Sequence, residues 1–139
     1  MNNLEKALKA RSLLNDCGDY DSAIAGAVGE IYAEEVLGMI KAGRGTRGYD
    51  GKIGGREVQV KSKEPLSKKE SVYYVGISHK NIGKAKDLVV VILGKEGVEG
   101  HYGPVPLERL DSIASVRKTQ VRYFISKIKT ICPFVGYRG

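Results

Sequence analysis

Tyr49-Asp50-Gly51-Lys52-Ile53-Gly54-Gly55-Arg56-Glu57-Val58-Gln59-Val60-Lys61-Ser62-Lys63 is the stretch that decides how this chain folds. Two short runs of strand composition flank Gly54-Gly55, a strong signal for a two-residue hairpin turn. With those glycines as the loop, Ile53 pairs with Arg56, Lys52 falls opposite Glu57, and Asp50 falls opposite Gln59. Side chains alternate between the faces of a strand. Val58 and Val60 therefore point into a core, while Glu57, Gln59, Lys61 and Lys63 share the other face. Opposed residues stand with Cβ atoms ~4.5–5.5 Å apart. The register thus gathers Asp50, Glu57 and Gln59, with Lys61 diagonal to Asp50.

Upstream, the sequence predicts a helix from about Tyr20–Ser22 to Ile40, with Asp19 or Asp21 as its cap. It is apolar nearly all round (Ile24, Ala27, Val28, Ile31, Leu37, Met39), as for a buried helix. Gly26 and Gly29 lie inside it at a cost of ~1 kcal/mol each relative to alanine, so something should approach that backbone closely. A shorter amphipathic surface helix spans Leu4 to Leu14, with Arg11 off its apolar stripe. Downstream, Val72 to Ile77 predicts a third strand. Asp87 to Leu93 reads as a central strand covered on both faces, and Gly97 to Tyr102 as a further strand. Pro106 to Ile113 suits a short helix. Thr119 to Ile131 suits an amphipathic helix, basic on its outside. The expectation is one domain over residues 1–139, of α/β class, with a central mixed sheet flanked by helices.

Composition sets the bounds. A chain of 139 residues can bury its own core. No stretch approaches the ~18 apolar residues of a membrane span, so no membrane partner is expected. Cys17 and Cys132 are too few and too far apart for a disulfide framework or a zinc cluster, which makes a reducing, cytoplasmic setting the default. The net charge of +7 favours polyanionic partners.

The shared polar face carries the chemistry. A carboxylate, an amide oxygen and an ammonium converge there, half a site for a hard cation such as Mg²⁺. Asp50 would ligate it, Gln59 would offer its side-chain and backbone oxygens, and Lys61 would steady the attacking water in phosphodiester hydrolysis. Glu30 is the candidate to complete the shell, because an unpaired Glu on an apolar helix needs compensation. Arg44 and Arg47, just ahead of Asp50, suit a phosphate clamp. Lys63 sits at the rim with a phosphate in reach. His79 and His101 have no catalytic partner in the sequence and read as structural or surface residues.

Gly29-Glu30 on a helix, then Gly48-Tyr49-Asp50, then Val58-Gln59-Val60-Lys61, resembles the PD-(D/E)XK (restriction-endonuclease-like) nuclease superfamily. Within it the pattern is similar to the Holliday-junction-resolvase and modification-dependent-restriction branches, which often carry Gln-x-Lys. The resemblance covers roughly residues 23–63. It implies Mg²⁺-dependent cleavage of DNA, with Mn²⁺ able to substitute, and catalytic roles for Glu30, Asp50, Gln59 and Lys61. The first three would be the metal ligands. The sequence departs from the pattern at Gln59, where an acidic residue is expected; Glu57 on the same face is the accessory candidate to compensate. Two other readings stay open: a catalytically inactive nucleic-acid-binding module on this fold, and a protein-binding inhibitor domain. A chain this small cutting two strands would usually need two copies of the site, which keeps a homodimer open as well.

Overall fold

The computed structural model describes residues 2–18, 22–46, 48–64 and 73–138. Arg47, the expected cap at Asp19 or Asp21, and the expected strand start at Val72 lie outside them. Helix α1 (Asn3–Cys17) begins on a side-chain cap, with Asn2 accepting the Glu5 N–H at 2.8 Å. Helix α2 (Ser22–Leu37) stops sooner than predicted. Gly38, with φ at +71°, turns the chain out. Ile40 then belongs to a short edge strand, β1 (Ile40–Lys41).

The hairpin turn and the rungs next to it form as read. Gly54 and Gly55 both take positive φ, and the ladder of β2 (Gly51–Ile53) against β3 (Arg56–Lys63) pairs Ile53 with Arg56 and Lys52 with Glu57. Strand β4 is Tyr74–Ser78, β5 Asp87–Leu93 and β6 Val98–Pro106. A 3-10 helix (Leu107–Ile113) stands where a short helix was expected, directly after Pro106. It is followed by β7 (Ser115–Val116), β8 (Gln120–Phe124), one helical turn α3 (Ile125–Ile128) and β9 (Phe134–Gly136).

The strands form two sheets rather than one meander. The six-stranded sheet runs β1-β2-β3-β5-β6-β9, and β3–β5 is its parallel pair. The chain leaves it after β3, places β4 in a three-stranded sheet of order β4-β8-β7, and returns as β5. The central sheet is mixed, as expected, but its two faces are covered differently. One face packs on α1 and α2 through Val28, Tyr32, Val58, Val60, Val89 and Val91. The other packs on the small sheet and the 3-10 helix through Val75, Leu88, Val90, Leu110, Val121 and Tyr123. β5 is sandwiched between the two cores, which is why its apolar run is unbroken.

Three helical expectations are corrected. The segment 119–131 is mostly strand: Val121 and Tyr123 are buried while Gln120, Arg122 and Phe124 are not, the period-two pattern of a half-covered sheet. Only Ile125–Ile128 is helical. Helix α2 is not buried all round, since Ala27 and Val36 are exposed. Arg11 does lie on the buried stripe of α1, in step with Leu4 and Ala7. Only 4% of it is exposed, and it bonds Glu64 just beyond β3 at 3.3 Å. His101 is buried with Nδ1 2.8 Å from the Tyr32 hydroxyl, and His79 holds the Arg117 carbonyl, so both histidines serve structure.

Candidate active site

β3 outruns its hairpin partner. The β2–β3 ladder ends at the Gly51–Val58 pair, whereas β3 continues to Lys63 along β5. The expected rung between Asp50 and Gln59 does not form. The Asp50 N–H instead donates to the Val58 carbonyl at 2.8 Å, and Asp50 Oδ2 accepts the Val60 N–H at 2.7 Å. The side chain of Asp50 thus replaces the missing strand for one step, which fixes it at the point where β2 and β3 part. Beyond that point the sheet edge opens into a cleft lined by Gly26, Glu30, Asp50, Gln59, Lys61 and Lys63, with Val60, Ser62 and Glu64 along its β3 wall.

Glu30 reaches the cleft because α2 lies unusually close to β3. A Cβ on Gly29 would overlap Ser62 Oγ and sit 3.6 Å from Val60 Cγ1, so any larger residue would force Ser62 aside. The expectation of close contact holds there. It fails at Gly26, where a Cβ would meet nothing within 4 Å. The carboxyls of Glu30 and Asp50 hydrogen-bond to each other. Burial first, then Asp50, pushes Glu30 up to about 7; Glu34 adds to the rise and Lys41 opposes it. The Glu30 carboxyl therefore holds its proton more tightly than an ordinary carboxyl, and a bound cation would favour its loss.

Gln59 contributes a further oxygen. Its Oε1 is buried with no hydrogen-bond partner among the described residues, and so is Ser62 Oγ in the same cleft. An orphaned buried acceptor loses free energy unless a ligand completes it. The main-chain oxygen available differs from the one expected. Since the Val60 N–H faces Asp50, the Val60 carbonyl faces the same edge, and that of Gln59 turns toward β5. Two carboxylates, an amide oxygen and a main-chain carbonyl form an all-oxygen set, which fits a hard divalent ion such as Mg²⁺. Among the described residues no group of three or more His, Cys, Asp or Glu side chains is assembled for a metal. The amide and main-chain oxygens must therefore complete any set built here.

The remaining candidates divide. Lys61 and Lys63 line the cleft, and Lys63 Nζ lies 5.4 Å from the centre of the Tyr74 ring. Glu57 pairs with Lys52 across the hairpin and is not among the cleft-lining residues. Arg44 is exposed in the turn after β1, also outside that lining set. Sequence reasoning missed Lys41, Ser62 and Glu64. Lys41 had no signal, because its two-residue strand is too short to announce itself; Ser62 was readable only through its contact with Gly29.

Fold and cleft together define a mixed α/β domain with an oxygen-rich acidic notch at the fork of its central sheet. No protein-family model and no curated protein matches the chain.

Proposed function

We propose that this protein is a small Mg²⁺-dependent endonuclease of PD-(D/E)XK type, acting on DNA in the cytoplasm. The observation that carries the reading is the meeting of Glu30, Asp50, the unpartnered Gln59 oxygen and Lys61 at the open edge of β3. Glu30, Asp50, Gln59 and the Val60 carbonyl would hold the ion. When bound it supplies Lewis-acid activation of the scissile phosphate and lowers the pKa of a bound water.

The chain's own residues supply the rest. Asp50 is held by the Val60 N–H, so its carboxylate presents one fixed orientation. Lys61 positions the attacking water and neutralises charge that builds on the phosphate as the water oxygen bonds to phosphorus and the P–O bond to the sugar breaks. Lys63 at the rim steadies a neighbouring phosphate. The helix lying against β3 closes one side of the cleft.

Incubation with supercoiled, linear, branched and single-stranded DNA, with and without Mg²⁺ or Mn²⁺, tests this. Metal-dependent strand scission is expected, lost in Asp50→Ala and Lys61→Ala; scission that survives both substitutions would remove the site. The set of only two carboxylates favours one other reading, a nucleic-acid-binding module without turnover. Titration calorimetry separates the two. An endonuclease takes up Mg²⁺ in an Asp50-dependent way, and a pure binding module does not.

A further inference from the structure

The cleft does not end at Lys63. The strand register carries one face of the central sheet onward from it: Lys61 neighbours Val90, Val90 neighbours Tyr102, and Tyr102 neighbours Phe134 on β9. Along this row, where the central sheet separates from β4 and α3, lies a second cavity of about 360 Å³. Its walls are apolar and aromatic, with Tyr73, Ile92, Tyr102 and Phe134 around the space and Lys63 and Lys129 among its lining. Lys63 and Glu64 line both this cavity and the carboxylate cleft, so the two are adjoining compartments.

Phe134 is the exposed wall of this cavity. The residue is 44% exposed, yet its ring is seated, with its centroid 5.2 Å from that of Tyr102. Gly100 makes the seat, because a Cβ there would strike the Phe134 ring and the Val135 carbonyl. Among the described residues, this large aromatic stays half exposed beside an apolar cavity. The size is at the lower end of ligand pockets, which run ~300–1,000 Å³, and suits one planar ring system.

We propose that this pocket takes a single unstacked nucleobase of the nucleic acid whose backbone lies in the cleft, so that the preferred substrate is single-stranded or carries an unpaired nucleotide. The proposal rests on the nuclease reading for what lies in the cleft. The occupant follows from the chemistry. Aromatic walls stack on any base, the two lysines meet the flanking phosphates, and the Glu99 carboxylate in the lining can accept from an amino group on a base edge. A fully paired duplex offers no such base without first breaking a pair.

Binding is measured in EDTA by fluorescence anisotropy, using one DNA duplex fully paired and the same duplex with one unpaired adenine. The wild-type protein is expected to prefer the unpaired form by ~5–150-fold, the range for one stacked base. Phe134→Leu keeps an apolar side chain on β9 and should lose the preference with Tm unchanged, whereas Phe134→Tyr should keep it. Equal binding of both duplexes by the wild type, or a preference that Phe134→Leu leaves intact, overturns the pocket even if Asp50-dependent cleavage is seen. A Phe134-dependent preference without cleavage in Mg²⁺ or Mn²⁺ overturns the nuclease reading and leaves the pocket standing.

Discussion

The two halves of β3 share one backbone and one parallel partner but dispose of their polar groups in opposite ways. Near the hairpin turn, Arg56 gives three hydrogen bonds of 2.9–3.1 Å to the buried Asp87, and Lys52 faces Glu57. Past Val58, the Gln59 and Ser62 side-chain oxygens are buried without partners among the described residues, and Glu30 is raised by burial and by its neighbour Asp50. The first half is complete in itself. The second leaves buried oxygens without partners among the described residues, and that contrast marks the candidate site more sharply than any single residue does.

The strongest way to break the comparison is to disable the second half alone. Lys61→Ala should reduce cleavage by ~10²–10⁴-fold, the usual range for a positioned proton-transfer or charge-stabilising group. Asp50→Asn should do the same while keeping an acceptor for the Val60 N–H, so the Tm should barely move. A loss of activity that tracked loss of Tm across these variants would make the cleft structural.

Next is the helix–strand contact. Gly29→Ala forces Ser62 aside and should destabilise by ~1–3 kcal/mol, as overpacking does, with a matching fall in Mg²⁺ affinity by calorimetry. Arg56→Ala in the first half should lower the Tm by leaving Asp87 buried without its partner, yet leave Mg²⁺ affinity unchanged. Equal effects of the two substitutions on Mg²⁺ affinity would erase the distinction between the halves.

A smaller effect is expected from pH. Glu30 is raised from 4.5 to about 7, so the folded protein keeps this proton where the unfolded chain has lost it. Without divalent ion, stability should therefore fall as pH rises from about 4.5 to 7, and Mg²⁺ affinity should rise across the same window. Thermal melts in EDTA at pH 5 and pH 8 check this. Glu30→Gln should flatten the slope, and an unchanged slope would show that another group titrates. The smallest effect is at Gly26, where a methyl meets open space: Gly26→Ala should stabilise by up to ~1 kcal/mol.

These contrasts follow what the residues themselves made legible. The hairpin was readable because Gly54-Gly55 fixes its register, and β5 because a strand between two cores must be apolar on both faces. Glu30 was found from the energetics of a carboxyl on an apolar helix. Segment 119–131 misled because Val121 and Ile125 satisfy both the strand and the helix spacing, and the burial of Tyr123 decides for strand. The departure of Asp50 from the ladder could not be read, since it depends on β3 continuing where β2 stops. Arg11 was placed on the wrong side of α1 because a charged residue was assumed to face water. The pairing of β3 with β5 was equally hidden, because the intervening β4 leaves for another sheet.

That parallel pairing also sets when the cleft exists. A two-stranded hairpin by itself is marginal in water, and β3 gains a second neighbour only when Val58 meets Asp87 and the rest of β5 follows. Pairings between distant parts of a chain form late in folding. A growing polypeptide would contain Glu30, Asp50, Gln59 and Lys61 well before it contained the strand that holds them in place. The chemistry proposed for this cleft is thus timed by closure of the sheet rather than by synthesis of its residues.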